Sequence, residues 1–151
     1  MNRIVTQKTA DDIRGLEYDW LAVDADGHVG FFSTAGGGYA PDGFLADAES
    51  FGATIEALEA SPATTTARFA PSLTSEYTNS WRLMAERGLF AFDSDFFGGP
   101  YRLVAAPEVP VRVTDLPARV VEVLTRVVLR DLRFREQAVL SAETLAEASR
   151  T

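Results

Sequence analysis

The stretch Trp20-Leu21-Ala22-Val23-Asp24-Ala25-Asp26-Gly27-His28-Val29-Gly30-Phe31-Phe32 decides the fold. Two short apolar runs, rich in residues that favour strands, flank a polar turn. Asp26-Gly27 lies inside that turn, and Gly tolerates the positive φ of a tight hairpin. The stretch therefore predicts two antiparallel strands. A lone hairpin is marginal in water, so further strands and a covering layer must follow.

Leu89-Phe90-Ala91-Phe92 and Tyr101-Arg102-Leu103-Val104-Ala105 read as the next strands. Val109, Val111 and Val113 alternate with Pro110, Arg112 and Thr114, which predicts another. Pro110 cannot donate to a ladder, so that strand belongs at a sheet edge. Strands are thus expected near 20–23, 29–32, 89–93, 101–106 and 109–113. Helices are expected near 43–60, 75–87 and 116–130. In the first, Phe44, Ala48, Phe51, Ile55 and Leu58 form one apolar stripe, with Asp42 as N-cap. In the second, Thr74 caps, Tyr77, Trp81 and Met84 face inward, and Gly88 stops the helix. Leu116-Pro117 opens the third, whose buried side is Val120, Leu124, Val127 and Val128. Thr9 to Gly15 suits a short capped turn, and 141–149 a short terminal helix. Residues 131–135 suit a strand or a helix exit, and 61–74 a surface connection. These elements describe one α+β domain over 1–151, a mainly antiparallel sheet with about three helices packed on it. The expected core is Trp20 or Leu21, Val23, Phe31, Phe51, Ile55, Leu58, Trp81, Phe90, Phe92, Leu103, Val111, Val120 and Leu124.

The composition, 46% hydrophobic and 24% charged over 151 residues, is that of a globular chain able to form its own core. It has no Cys, so neither disulfide nor thiolate chemistry applies. No apolar run approaches a membrane span, and the first residues lack the apolar centre of a secretion signal. A cytoplasmic protein is expected.

Charge is distributed unevenly. Residues 1–60 hold 11 acids and 3 bases, while residues 61–151 hold 11 of each. The overall charge of −8 argues against nucleic acid and anionic membrane, which both need a basic footprint. The Arg119, Arg126, Arg130, Arg133, Arg135 run is interleaved with Glu122, Asp131 and Glu136, which suits a solvated, ion-paired face. The first long helix carries Asp42, Asp47, Glu49, Glu56 and Glu59 and no base. An acidic face of this kind steers a basic partner and speeds encounter. Phe96 and Phe97, adjacent in a Gly-rich loop, are candidate anchors, and Tyr39 borders a second such loop.

Motifs for catalysis are weak. Asp24-Ala25-Asp26-Gly27 after a strand resembles the first motif of haloacid-dehalogenase-type phosphatases. There the first Asp is nucleophile, the second acid/base, and Mg²⁺ neutralises phosphate. The downstream Lys of that family is missing, because the one Lys of this chain is Lys8. A hairpin also follows where a βαβ unit should. Read as a calcium loop from Asp24, Gly27 falls at position 4 where Gly is needed at 6, His28 at position 5 and Ala35 at position 12, so the match fails. His28 is the one histidine, its setting after a turn suggests solvation, and zinc sites usually draw on several His or Cys. Gly36-Gly37-Gly38 lacks both the Lys of a phosphate loop and the spacing of a dinucleotide fingerprint. No metal or cofactor is expected. The alternatives to a binding role without cofactor are a Mg²⁺-dependent phosphatase using Asp24 and Asp26, or a domain that holds a small ligand between the sheet and the loops at 34–41 and 94–100.

Tyr18 to Gly36, with Gly88-Leu89-Phe90-Ala91-Phe92-Asp93 and Pro100-Tyr101-Arg102-Leu103-Val104, resembles small bacterial proteins of the polymorphic-toxin immunity type. The resemblance touches about a third of the chain and lies in strands and turns. It implies a shared fold, a non-enzymatic role and a protein partner, and it carries no catalytic residues. The expected function is therefore a protein-binding module for a basic partner, with Asp42, Asp47, Glu49, Glu56, Glu59, Tyr39, Phe96 and Phe97 at the contact.

Overall fold

A computed structural model describes residues 7–70 and 80–149. In chain order its elements are α1 (Ala10–Ile13), β1 (Asp19–Val23), β2 (Val29–Ser33), α2 (Asp42–Leu45), α3 (Ala48–Ala60), β3 (Ala67–Phe69), α4 (Ser80–Glu86), β4 (Phe90–Asp93), β5 (Tyr101–Pro107), α5 (Ala118–Leu124), β6 (Val139–Leu140) and α6 (Ala142–Ala148). The fold is α+β.

The hairpin forms as its sequence dictates. β1 and β2 pair antiparallel, with Trp20 opposite Phe32 and Val23 opposite Val29. β2 then pairs with β4 in parallel, which the intervening helices allow by carrying the chain back across the sheet. β5 returns antiparallel to β4, and its far edge is shared by two short strands, β3 and β6. The sheet is therefore mainly antiparallel, with one parallel pair.

Register stacks the aromatic residues. Trp20, Phe32 and Phe92 occupy neighbouring positions on three strands, with ring centroids 4.0 Å and 5.0 Å apart. Tyr101 meets Trp20 and Phe32 edge-on, and its hydroxyl accepts from the Trp20 indole at 3.0 Å. Phe134 packs against Phe32, Phe90 and Phe92. Gly30 makes this possible, since a Cβ there would come within 2.8 Å of the Phe134 ring and 2.9 Å of Phe32. Helix α3 lies against β1 and α5, and α4 lies against β4 and β5. The expected core residues are buried except Trp81, Leu103 and Val111, which are half-buried and pack against it.

Several elements depart from expectation. The helix expected over 43–60 is two helices. Pro41, not Asp42, precedes α2, and the chain breaks at Asp47 (φ −155°, ψ 68°). The Asp47 carboxylate restarts the helix by accepting from Ser50 N and the Ser50 hydroxyl, and Arg126 pairs with it at 3.1 Å. The helix expected over 116–130 stops at Leu124, because Val127 to Leu129 go to the open edge of β1 instead. Val23 N donates to Val127 O, and Leu129 N donates to Val23 O.

The strand expected over 109–113 is absent. The β1 edge is taken by 127–129 and the β5 edge by β3 and β6, so this segment makes a single bridge, Arg112 to His28. It ends in a 3-10 turn, Val113–Asp115, and a second such turn, Phe134–Glu136, follows where a strand or exit was open. β3 arises within the stretch read as a surface connection. The second expected helix is described over Ser80–Glu86, with Gly88 beyond it at φ +92°. Its Thr74 cap, Tyr77 and residues 75–79 lie outside the described residues. Among the described residues, no helix is long and apolar enough to cross a membrane.

Candidate functional site: an acidic cleft at the end of the sheet

The residues at the ends of three strands build the site. Asp19 begins β1, Ser33 ends β2 and Asp93 ends β4, and pairing sets them in one row across the sheet. Side chains at such positions share a face. The row floors a cleft of about 310 Å³ whose described lining also includes Glu17, Ala35, Ser80 and Trp81. Trp81 comes from the start of α4, which stands beside this face.

The carboxylates here are crowded. Burial, then the charges of Glu17, Asp19 and Asp95, push the Asp93 carboxyl up to about 6, against a small opposing bond from Ser94 N. Burial also raises Asp19, helped by Glu17 and Glu59, while the Ser33 hydroxyl works the other way. No ion pair reaches Glu17, Asp19, Glu59 or Asp93 from the described residues. Desolvated like charges with no counter-ion among the described residues favour an incoming cation.

The expected contact residues fall in different places. Asp42, Glu49 and Glu56 are exposed on α2 and α3. Glu59, one turn beyond Glu56, is half-buried and close enough to act on Asp19. Asp47 is half-buried and engaged by Ser50 and Arg126. Tyr39 is half-buried, and its backbone carbonyl accepts from the Tyr101 hydroxyl at 2.6 Å. Phe96 is 64% exposed and Phe97 93% exposed, edge to face with each other, so neither tucks into the core.

The two Gly-rich loops interlock. A Cβ on Gly37 would strike the backbone of Asp95 and Phe96, and one on Gly38 would strike Ser94 and Tyr101. The two loops thus pack directly on each other, with no room for a further side chain between them. A cleft of about 530 Å³ opens between loop 36–40 and α1, with Lys8 and Arg14 at its wall.

The hairpin motif is a structural clamp at its first position. Asp24 is 3% exposed, its Oδ1 accepts from Asp26 N and His28 N, and its Oδ2 accepts from Phe134 N. A nucleophile must be presented to its substrate, and this carboxylate is held inward. His28, expected to be solvated, is only 6% exposed, because the Arg112 segment bridges it and Phe90 lies 5.8 Å from its ring.

Reading the sequence missed Glu17, Asp19, Asp93 and Trp81 as one group. Their separation in the chain hides them, and only the register of β1, β2 and β4 brings the carboxylates together.

Comparison with known proteins finds no matching family model, no similar curated protein and no similar solved structure.

Proposed function

We propose that this chain is a non-enzymatic, cytoplasmic protein-binding module whose acidic surface receives a basic protein. In its sharper form, following the resemblance, it is an immunity-type protein that neutralises a basic toxin domain. The observation that carries the reading is the cleft at Asp19 and Asp93. Two desolvated carboxylates, Glu17 at the rim and an aromatic side chain in the wall suit a Lys or Arg side chain, which gains both ion pairing and contact with a ring face. Glu59, Glu56, Glu49 and Asp42 extend the negative potential along α3 and α2, where it accelerates encounter. Phe97 adds an exposed apolar anchor nearby in sequence to Asp93.

The test is quantitative capture from native lysate with wild type, the cleft variant Asp19→Asn/Asp93→Asn and the triple reversal Asp42→Lys/Glu49→Lys/Glu56→Lys. A basic protein should be retained by wild type and lost by the cleft variant. The triple reversal should slow its association and flatten the salt dependence. Retention of no basic protein, or equal retention by all three chains, overturns the reading.

A further inference from the structure

The geometry points to a divalent-cation site of the zinc class in the β1–β2 hairpin, formed by Asp24, Asp26 and His28. One donor atom from each lies within 4.8 Å of the others. Proximity of acids alone would mean little. The decisive observation is that the side chain of His28 is buried and its Nδ1 has no hydrogen-bond partner. That nitrogen lies 4.0 Å from Asp24 Oδ2, too far for a hydrogen bond. Asp26 Oδ2 is likewise buried and without a hydrogen bond. Two buried polar atoms left unmet beside one carboxylate are rare in a folded chain, and a bound ion is one of the few things that accounts for them.

The surroundings hold the donors as a metal site requires. Asp24 is fixed by the N–H groups of Asp26, His28 and Phe134, which orient it while leaving one lone pair on Oδ2. Arg133 engages Asp26 through Oδ1 at 3.2 Å, which leaves Oδ2 turned away from that pair. Such bonds from outside the ligand set orient a site. Arg112 donates to the Asp26 carbonyl at 2.6 Å and steadies the loop from the other side. Among the described residues, the cation that competes for Oδ2 itself is Arg135, whose Nε stands 3.6 Å from it.

The donor set selects the metal. One imidazole and two carboxylates suit Zn²⁺ and its neighbours, whereas Mg²⁺ and Ca²⁺ prefer oxygen alone. Bonds of about 2.0–2.2 Å place two donors on one ion no more than about 4.4 Å apart. The three side chains must therefore draw in slightly, which the half-buried Asp26 has room to do. Three protein ligands leave a fourth position open in a tetrahedral site.

The test is calorimetric titration of the chelator-stripped full chain with zinc chloride, with magnesium chloride as comparison and circular dichroism to confirm folding. One Zn²⁺ per chain should bind, and Mg²⁺ should not compete. Asp26→Asn, which keeps side-chain shape, and His28→Phe, which keeps a planar ring but no donor nitrogen, should each weaken Zn²⁺ at least about tenfold. Arg135→Gln should tighten it, since it removes the competing charge, an effect that a purely structural hairpin would not produce. The proposal fails if the folded wild type takes up no stoichiometric Zn²⁺, or if uptake is unchanged in both Asp26→Asn and His28→Phe.

Discussion

Each oxygen of the Asp24 carboxylate has a backbone partner, and one of them, Phe134 N, comes from a segment 110 residues away. The hairpin turn is thereby tied to the strip that carries Phe134 onto the aromatic stack. Removing the side chain strands three N–H donors in or near the interior, and such donors cost about 1–3 kcal/mol each when left without water. Asp24→Ala should therefore lower unfolding free energy by roughly 3 kcal/mol, with solvent recovering part of the loss. Urea unfolding measures this directly, and a change under 1 kcal/mol would mean that the clamp is dispensable. Asp26, half-buried and facing Arg133 and Arg135, should tolerate substitution far better.

At the scale of elements, the break between α2 and α3 makes a prediction that a continuous helix does not. Asp47 is the residue that caps, while Asp42 sits in the first turn of a short helix without a capping bond. Loss of a cap costs about 1 kcal/mol. Asp47→Ala should therefore destabilise by roughly that amount or more, because Arg126 also loses the nearer of its two carboxylate partners, whereas Asp42→Ala should stay within about 0.5 kcal/mol. Equal effects in thermal unfolding would restore the single helix. The same reasoning explains why α5 is short. Val127 to Leu129 satisfy a helical stripe and a strand equally well on paper, and the unpaired edge of β1 decides in favour of the strand.

For the whole molecule, charge placement links stability to pH. Asp93 titrates near 3.8 when unfolded and near 6 when folded. Below about pH 4 both states hold the proton. Between 4 and 6 the folded state holds a proton that the unfolded state has released, so stability falls as pH rises through this window. Above about 6 the full penalty of the ionised, crowded carboxylate is present. Water reaches this half-buried group, so the penalty is roughly 1 kcal/mol. Asp93→Asn should thus be more stable than wild type at pH 7.5 and indistinguishable from it near pH 3.5. Denaturation curves at the two pH values check this, and a gap that widens towards low pH would reverse the assignment. A basic partner that seats on Asp93 should bind less well at pH 5 than at pH 7 for the same reason.

The excess of acids in residues 1–60 was plain from composition, but its meaning was not. Bases from the second half of the chain return to particular acids: Arg133 and Arg135 to Asp26, and Arg126 to Asp47. Glu17, Asp19, Glu59 and Asp93 receive none from the described residues; Glu17, Asp19 and Asp93 line one cleft, and Glu59 lies close enough to act on Asp19. The hairpin, the strands at 90–93 and 101–107, the stripe of α3 and the Gly88 stop were all legible in the sequence. Each depends on side-chain period and local φ preference, which neighbours in the chain carry between them. The cleft, the break at Asp47, the strand-like use of 127–129 and the burial of His28 were not legible. They depend on which strand edges are already taken and on the register between segments 60 to 110 residues apart. Local patterning determined which segments become strands and helices. Only tertiary pairing decided which carboxylates would face one another, because distance in space, not in sequence, sets the cost of bringing like charges together.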